Sequence, residues 1–477
     1  MQLDHATCER ARLARDGRYD GRFFIAVTST KIYCRPICPA PTAKSKNVRY
    51  YPSAAAAAED GFRPCLRCRP EASPGTPAWE GAASTVTRGL KLIAESALDE
   101  AGVDELAERL GMGSRHLRRL FLKHLGATPV AVAQTRRVHF AKKLIDESSL
   151  SMTEVALASG FNSVRRFNAT FQNLYGRAPS ELRRLSRGAK EPGERGRYRF
   201  RLDYRPPLNW VSLLEFLESR AIPGVESVEA GEYRRNISLQ GENGSIAVRA
   251  VKGKPWLELD IRFPDPRALL RIVERVRRIF DLQADPAEVE RQFQRDATLS
   301  PLLRAYPGLR VPGCWDGFEL AVRAILGQQV SVKGASTLAG RIATEFGTPV
   351  PGGFLFPDAR TLADADLHAI RLTQKRASAI GDLARAVVVG KVVLDGSQSA
   401  AELQEQMIAI PGVGPWTAQY VAMRLGEPDA FPSGDLYLRD HAAASAEWRP
   451  WRAYAAMYLW KEASGKAPAL KTFSTSN

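Results

Sequence analysis

Two closely spaced pairs of cysteines, in the sequences YCRPIC and CLRC, constrain the fold of this chain more than any other feature. Cys34 and Cys38 form a C-x3-C pair, and Cys65 and Cys68 form a C-x2-C pair. This spacing predicts a tetrahedral zinc site with four thiolate ligands, although four ordinary buried cysteines or a redox pair would share the pattern. Such a site contributes about 10–16 kcal/mol to folding, enough to hold together a domain of about 70 residues.

The residues around these pairs resemble a known family. Residues 4–70, with the motifs KIYCRPICP and GFRPCLRCRP, resemble the N-terminal domain of the Ada family of DNA methyl-transfer proteins. The resemblance implies that Cys34 accepts a methyl group from a methylated DNA phosphate. It also implies one structural and thiolate-activating Zn²⁺, with Cys34, Cys38, Cys65 and Cys68 as ligands. Methylation would lower the formal charge of this site from −2 to −1 and reduce its repulsion of DNA phosphates, which is an electrostatic switch.

Length and charge set limits on the rest of the chain. With 477 residues, 44% of them apolar, we expect roughly three or four domains. A formal net charge of +16 favours a polyanionic partner such as double-stranded DNA, although a basic proteome would give the same excess. The N-terminus lacks a signal-peptide core, and no apolar run reaches membrane-spanning length. We therefore expect a soluble, intracellular protein without a membrane partner, and the resemblance to the Ada family implies a cytoplasmic, nucleoid-associated bacterial protein. Cys8 and Cys314 have no spacing partner and are predicted to be structural.

Between residues 86 and 184 the sequence is helical in pattern, and one design occurs twice. Each copy has a helix, a turn at Gly111 or Gly160 and a second, basic helix, and residues 130–145 join the copies by a further helix. The repeat predicts two helix-turn-helix units rather than a plain helical bundle with a solvated arginine face. The segment resembles the AraC-type DNA-binding domain that follows the zinc domain in Ada. Predicted core residues are Leu106, Leu110, Leu117, Phe121, Val155, Phe161, Phe167 and Phe171, and predicted DNA contacts are Ser114, Arg115, Arg118, Ser163, Arg165 and Arg166.

The region that follows has the pattern of an α+β fold. Four segments between Tyr198 and Phe263 alternate apolar and polar residues as strands do, and residues 265–282 form an amphipathic helical pattern. No catalytic motif occurs here, so Asp203 and the many arginines are predicted to form a solvated face. Stretches rich in small, polar or charged residues at 70–85 and 184–197 are predicted to be linkers.

A proline- and glycine-rich turn occurs in the sequence AIPGVGPWTAQYVAMRL. Gly412 and Gly414 lack Cβ atoms, so backbone N–H groups can approach a phosphate, and the following helix adds its positive N-terminus. Alone, PGVG is equally consistent with an ordinary turn. Together with AILGQQVS upstream and WRPWRAY downstream, it resembles the helix-hairpin-helix of DNA glycosylases, and residues 197–470 resemble the AlkA family of alkylated-base glycosylases. The hairpin residues predicted to bind DNA are Pro411, Gly412, Val413 and Gly414.

The resemblance to the glycosylases implies a base-excision site. Asp435 stands at the position of the family's catalytic aspartate, although Ser-Gly-Asp before an apolar run is also a common helix N-cap. Trp416, Tyr420 and Trp460 stand at the positions of the base-pocket aromatics, although core packing alone would also explain such residues. The base pocket is therefore predicted to combine one carboxylate with three aromatic rings.

The chain departs from the glycosylase family at two places. Gln328 and Gln329 stand at the strand-wedge position, where the family has an apolar residue in place of Gln329. The segment between Asp435 and the motif EWRPW is shorter than in the family. This shortening favours an alternative function, namely a methylation-sensing transcription activator whose glycosylase half only binds DNA.

The sequence thus predicts a fused DNA alkylation repair protein and transcriptional regulator. It would release 3-methyladenine and 7-methylguanine type bases by hydrolysing the N-glycosidic bond, accept methyl groups at Cys34, and bind promoter DNA and RNA polymerase. Trp416 stands where lyase-type relatives have a lysine, so the glycosylase is predicted to be monofunctional. No iron–sulfur cluster is predicted, because the C-terminal part lacks four clustered cysteines. The multidomain order is a zinc α+β domain (1–75), an all-α double helix-turn-helix domain (84–186), an AlkA N-terminal-like α+β domain (197–310) and an all-α helix-hairpin-helix glycosylase domain (311–470).

Overall fold

The computed structural model describes residues 4–74, 83–185, 194 and 196–466, and its first part is a small four-stranded sheet with two helices. Its elements are α1 (His5–Ala14), β1 (Phe24–Val27), β2 (Ile32–Cys34), β3 (Val48–Tyr51), α2 (Ala54–Glu59) and β4 (Arg63–Pro64), with 3-10 helices at Gly17–Tyr19, Ser45–Asn47 and Pro70–Ala72. The strand order is β3-β1-β2-β4, with β2 and β4 parallel and the other neighbours antiparallel. Because β2 and β4 run side by side in the same direction, Cys34 and Cys65 come to lie at the same end of the sheet.

Two helix-turn-helix units follow, as predicted. Gly111 (φ +71°) and Gly160 (φ +74°) supply the left-handed backbone of the two turns. All eight predicted core residues are buried, and a single helix spans the predicted connection between the units. The helices are α3 (Ala83–Ala94), α4 (Ala97–Glu100), α5 (Val103–Arg109), α6 (Ser114–Leu125), α7 (Pro129–Glu147), α8 (Met152–Ala158), α9 (Val164–Tyr175) and α10 (Pro179–Leu185).

The next part is an antiparallel five-stranded sheet covered by helices. Its elements are β5 (Arg197–Asp203), α11 (Trp210–Glu218), β6 (Glu226–Glu229), β7 (Glu232–Leu239), β8 (Glu242–Ala250), β9 (Trp256–Arg262) and α12 (Leu269–Ile279), with a 3-10 turn at Pro266–Ala268. The order β5-β9-β8-β7-β6 leaves β5 at an edge. Alternation predicted four of these strands, whereas β6 was not predicted. The apolar face of the sheet shares one core with the second helix-turn-helix unit, where the rings of Phe140 and Phe200 lie 6.1 Å apart.

The prediction of a solvated face on this sheet is wrong for Asp203. This residue is only 6% exposed, because Arg35 of the N-terminal sheet packs against it and pairs with its carboxylate at 3.2 Å. Among the arginines, Arg199 lies at the surface as predicted, whereas Arg235 is buried beside the carboxylates of Glu226 and Glu319. The alternating strand pattern could not show these contacts, because Arg35 and Glu319 come from distant parts of the chain and β6, which carries Glu226, was not predicted.

The predicted linkers are only partly described. Pro70–Ala72 is a 3-10 helix rather than a flexible connection, and the carboxylate of Glu71 within it lies 3.7 Å from the Lys142 ammonium on α7. Residues 75–82, 186–193 and 195 lie outside the described residues. The predicted domain boundaries in these stretches therefore stay predictions.

The C-terminal part is a helical bundle around one large core. At its centre, α15 (Gly317–Leu326) is buried along almost its whole length. Over the described ranges, no helix is long and apolar enough to cross a membrane. The other elements are α13 (Pro286–Phe293), α14 (Leu299–Ala305), α16 (Val332–Phe346), β10 (Pro349–Val350), β11 (Gly353–Phe354), α17 (Ala359–Ala363), α18 (Gln374–Val388), α19 (Ala400–Ile408), α20 (Pro415–Arg424) and α21 (Arg452–Lys466), with 3-10 helices at Arg439–His441 and Ala444–Trp448.

Candidate functional site

Four thiols converge at one end of the N-terminal sheet. Their sulfur atoms all lie within 4.8 Å of one another, and the backbone N–H of Arg35 donates to the Cys68 sulfur at 3.3 Å. A tetrahedron of thiolates around zinc has sulfur–sulfur edges of about 3.8 Å, given Zn–S bonds of about 2.3 Å. The donor set and its spacing therefore fit one zinc ion. The four residues are Cys34, Cys38, Cys65 and Cys68, of which Cys38 is half-buried and the others are buried.

A second site is centred on the hairpin between α19 and α20. Gly412 has φ +88°, a left-handed backbone conformation that glycine adopts without strain. Val413 is buried and anchors the turn, while Pro411 and Gly412 are exposed. Gly414 occupies the N-cap of α20 and offers no capping side chain, so the first N–H groups of this helix can donate hydrogen bonds to an anion.

The aromatic residues predicted to form a base pocket do lie together. The rings of Trp416 and Tyr420 stack with centroids 5.4 Å apart and planes 10° apart. Trp460, on α21, lies 6.2 Å from Tyr420 at an interplanar angle of 57°. All three side chains are half-buried, which leaves aromatic surface available to a ligand. Tyr420 and Trp460 also pack against the large C-terminal core, so the core-packing alternative holds in part for these two rings.

Arginines surround the Tyr420 hydroxyl. Arg424 Nη1 donates to Tyr420 Oη at 2.8 Å, and the same guanidinium donates to the carbonyls of Pro312 and Gly313. Burial alone would raise the pKa of Tyr420, but the charges of Arg424, Arg220 and Arg323 outweigh it and lower the pKa to about 8. Arg424 was not predicted from the sequence, although its position one helical turn after Tyr420 could have indicated the contact.

Asp435 lies beside this aromatic cluster. Its Oδ1 atom accepts hydrogen bonds from Trp460 Nε1 and from the backbone N–H of Tyr437, both at 3.0 Å. The second bond closes a local turn rather than capping a helix, because the next helical element, Arg439–His441, has Leu438 as its N-cap. The catalytic role of Asp435 stays a prediction. The loop that carries Asp435 is tied to α20, because the N–H of Phe431 donates to Oε1 of Gln419 at 3.2 Å. Beyond Asp435, the shortened segment consists of 3-10 turns and ends at the buried Trp448.

The two predicted wedge glutamines differ in environment. The amide of Gln328 donates to the Gly412 carbonyl at 3.1 Å and to Thr417 Oγ1 at 3.0 Å, so this side chain braces the hairpin. Gln329 is exposed in the loop between α15 and α16 and has a left-handed backbone with φ +54°. Val330 and Val332, next to it, are also exposed. The loop thus presents Gln329 and apolar side chains outward, whereas Gln328 serves the hairpin itself.

The residues predicted to contact DNA lie on, or cap, the second helix of each helix-turn-helix unit. Arg115 and Arg118 are exposed on α6, and Arg165 and Arg166 are exposed on α9. Ser163 caps α9 by accepting from the N–H of Arg166 at 3.2 Å, so its hydroxyl has a structural partner. Ser114 is half-buried at the first position of α6. Arg119, whose guanidinium lies 2.9 Å from His116 Nδ1 on the same helix, was not predicted and extends the exposed basic surface.

Four family models match successive parts of the chain. The metal binding domain of Ada matches residues 7–71, and a helix-turn-helix domain matches residues 106–185. The AlkA N-terminal domain matches residues 199–316, and the HhH-GPD superfamily of base excision DNA repair proteins matches residues 322–456. Together these matches confirm the predicted fold classes.

Known glycosylases are similar to the C-terminal half of the chain, and one known protein is similar to nearly the whole chain. A solved 3-methyladenine DNA-glycosylase from Archaeoglobus fulgidus covers 57% of this chain and 100% of its own, with a TM-score of 0.50 and 22% identity, which shows the fold. DNA-3-methyladenine glycosylase 2 of Escherichia coli (strain K12) is 31% identical over 55% of this chain and 96% of its own length. The probable bifunctional transcriptional activator/DNA repair enzyme AlkA of Mycobacterium tuberculosis (strain CDC 1551 / Oshkosh) is 39% identical over 96% of this chain and 97% of its own length. The chain therefore belongs to the family of bifunctional transcriptional activator/DNA repair enzymes of the AlkA type.

Proposed function

We propose that this chain repairs alkylated DNA and regulates transcription through two reactive centres of different chemistry. The observation that carries the repair activity is the hydrogen bond from Trp460 to Asp435, which holds a carboxylate beside a cluster of three aromatic rings. The family supports the combination, because its M. tuberculosis member is named as both an activator and a repair enzyme.

The first centre would release alkylated purines by hydrolysis. A purine alkylated at N3 or N7 is already cationic, so it leaves without much help from a general acid. Flipping the nucleotide out of the duplex costs a few kcal/mol, and stacking on Trp416, Tyr420 and Trp460 returns about 1–3 kcal/mol for each ring. The Asp435 carboxylate then stabilises the oxocarbenium-like sugar and positions a water molecule. Trp416 occupies the place of a lyase lysine, so the reaction ends at base release.

The hairpin would hold the DNA during this reaction. The N–H groups at Gly412 and Gly414 and the N-terminus of α20 suit a phosphate, and the Gln328 amide keeps the turn in place. Gln329 would enter the space left by the flipped nucleotide. Pro411 and Val413 complete the DNA-binding turn.

The second centre would accept methyl groups irreversibly at Cys34. The thiolate sulfur forms a bond to the methyl carbon while the O–CH3 bond of a methylphosphotriester breaks, and a phosphodiester anion leaves. Cys38, Cys65 and Cys68 complete the ligand set, and bound zinc supplies a thiolate that is deprotonated at neutral pH. The cofactor complement is one zinc ion, without an iron–sulfur cluster.

Methylation would convert damage into a transcriptional signal. The site loses one negative charge, so its repulsion of DNA phosphates weakens, and α6 and α9 bind promoter DNA more tightly. Promoter-bound protein would then contact RNA polymerase. The protein would then act on the bacterial nucleoid.

Base release from methylated DNA tests the proposed repair activity. Under single-turnover conditions with saturating protein, the chain should release 3-methyladenine and 7-methylguanine. Asp435→Asn should lower the rate at least about a hundredfold, because one preorganised charge in an active site contributes about 2.7–4 kcal/mol. Asp440→Asn is the matched control, since Asp440 is an exposed carboxylate of the same loop.

The outcome also decides between this function and the alternative. A wild-type protein that binds damaged DNA but releases no base would support the activator whose glycosylase half only binds, which the short 3-10 segment after Asp435 favours. Equal rates for wild type and Asp435→Asn, with both proteins folded by thermal melting, would remove Asp435 from the mechanism.

A further inference from the structure

The two residues that flank Cys34 are held by different parts of the molecule. Tyr33 Oη lies 2.8 Å from His139 Nε2 on α7, in the helix-turn-helix part. Arg35 reaches the opposite way and pairs with Asp203, the last residue of β5, at 3.2 Å. Strand β2, which ends at the proposed methyl acceptor, and the residue after it are therefore in contact with both the helix-turn-helix part and the five-stranded sheet of the glycosylase half.

Arg35 connects the thiol cluster directly to β5. Its backbone N–H donates to the Cys68 sulfur, and its Nη1 donates to the Cys68 carbonyl, both at 3.3 Å. Its Nε donates to Asp20 at 2.9 Å, and its Nη2 contacts both Asp20 and Asp203. The side chain is only 5% exposed. One buried cation thus lies between the thiol cluster and two carboxylates.

Other charged side chains near the Arg35–Asp203 contact are also buried or hydrogen-bonded. Arg22 of the N-terminal part pairs with Asp285 at 2.9 Å, and both side chains are 1% exposed. At the free edge of β5, the N–H of Arg201 donates to Glu147 at 3.3 Å, and Lys143 donates to the Arg201 carbonyl. Buried charges of this kind are sensitive to a change of charge nearby, because little water screens them.

We propose that the methylation state of Cys34 is transmitted to the glycosylase half through Arg35 and Asp203, and that methylation tightens the docking of the N-terminal domain on β5. This inference rests on the proposed methyl transfer. With zinc bound, four thiolates carry a formal charge of −2, and Asp20 and Asp203 add negative charge across a single arginine. Methylation of one sulfur removes one negative charge, so the repulsion between the thiolate cluster and Asp203 weakens while the Arg35–Asp203 attraction stays.

Hydrogen–deuterium exchange of the zinc-loaded full chain tests the proposal. Peptides that cover β5 are compared between the unmethylated protein and protein methylated with methylphosphotriester DNA, with the methyl group mapped by mass spectrometry. We expect exchange at the edge of β5, including the Arg201 amide, to slow about three- to tenfold on methylation. Peptides from β7, in the same sheet but away from the contact, should not change.

Three variants distinguish transmission through Arg35 and Asp203 from a general stabilisation of the protein. In Asp203→Asn, the β5 amides should exchange at the same rate in methylated and unmethylated protein, because the carboxylate charge repelled by the thiolate cluster has been removed. Asp260→Asn is the matched control: it removes another carboxylate of the same sheet, which pairs with Arg199 at 3.2 Å, and should keep the full difference. Cys34→Ser, checked for bound zinc, removes one thiolate charge without methyl transfer and should slow β5 as methylation does.

Each failure has its own meaning. Equal β5 exchange in methylated and unmethylated wild type overturns the coupling and needs no variant to do so. A difference that persists in Asp203→Asn overturns the route through this pair. If no methyl group appears on Cys34, the proposed methyl transfer fails, and the comparison of Cys34→Ser with wild type decides the coupling.

Discussion

The thiol cluster and the aromatic pocket are built in opposite ways. The thiols project from short strands and loops of a domain with a small core, where metal ligation has to supply most of the stability. In the aromatic pocket, Tyr420 and Trp460 pack against one large helical core, Trp416 stacks on Tyr420, and Asp435 accepts a hydrogen bond from Trp460. The first design suits a centre that reacts once and then signals, and the second suits one that must bind, flip and release repeatedly.

Removal of zinc should have the largest effect and should affect the two sites differently. Chelation withdraws about 10–16 kcal/mol of metal-linked folding energy from the N-terminal domain and none from the helical core. We expect β1, β2 and β3 to lose their protection from hydrogen exchange, while α20 keeps its own. Loss of protection in both regions, or in neither, would contradict the contrast between a metal-held and a core-held site.

The Tyr420 hydroxyl gives an intermediate effect that depends on pH. Its pKa is lowered to about 8 in the folded protein, against about 10 in the unfolded chain, because nearby arginines outweigh burial. Ionised Tyr420 therefore stabilises the fold fully above pH 10, and this contribution is lost as the pH falls through 8. Between pH 8 and pH 10, the free energy of unfolding of wild type relative to Tyr420→Phe should rise by about 1.9 kcal/mol.

Denaturant unfolding at both pH values, with tyrosinate absorbance recorded alongside, measures this effect. Tyr454→Phe is the control, because burial and the charge of Asp281 raise the pKa of Tyr454 well above 10, so it stays protonated in this range. An identical pH dependence for wild type and Tyr420→Phe would show that the arginines do not act on this hydroxyl.

The smallest expected effect separates the two neighbouring glutamines. Gln328→Ala removes two hydrogen bonds from the hairpin and should destabilise the protein by about 1–3 kcal/mol, with weaker binding to DNA that contains an abasic site. Gln329→Ala should leave the free energy of unfolding within about 0.5 kcal/mol, because this side chain is exposed. Gln329→Ala should instead lower the rate of base release. Equal stability losses in the two variants would contradict the distinction.

The sequence predicted local features well and distant contacts poorly. Cysteine spacing located the four thiols, and helical periodicity located both helix-turn-helix cores, because such signals lie within a few residues of one another. The Asp203 contact escaped prediction, since its partner Arg35 is 168 residues away and an isolated aspartate on a strand looks solvated. The positions of Asp435 and the aromatic residues came from family resemblance. Periodicity alone would have assigned the aromatics to the core.

One experiment addresses directly whether a single chain combines a centre that acts once with a centre that turns over. The protein is incubated with an excess of DNA that contains both methylphosphotriesters and 7-methylguanine. Peptide mass mapping counts methyl groups per chain, and chromatography counts the free base. We predict that methylation stops at one group per chain, on Cys34, while release of 7-methylguanine passes one base per chain and continues. Base release that stops at or below one per chain, or a methyl group found on another cysteine alone, would contradict the account.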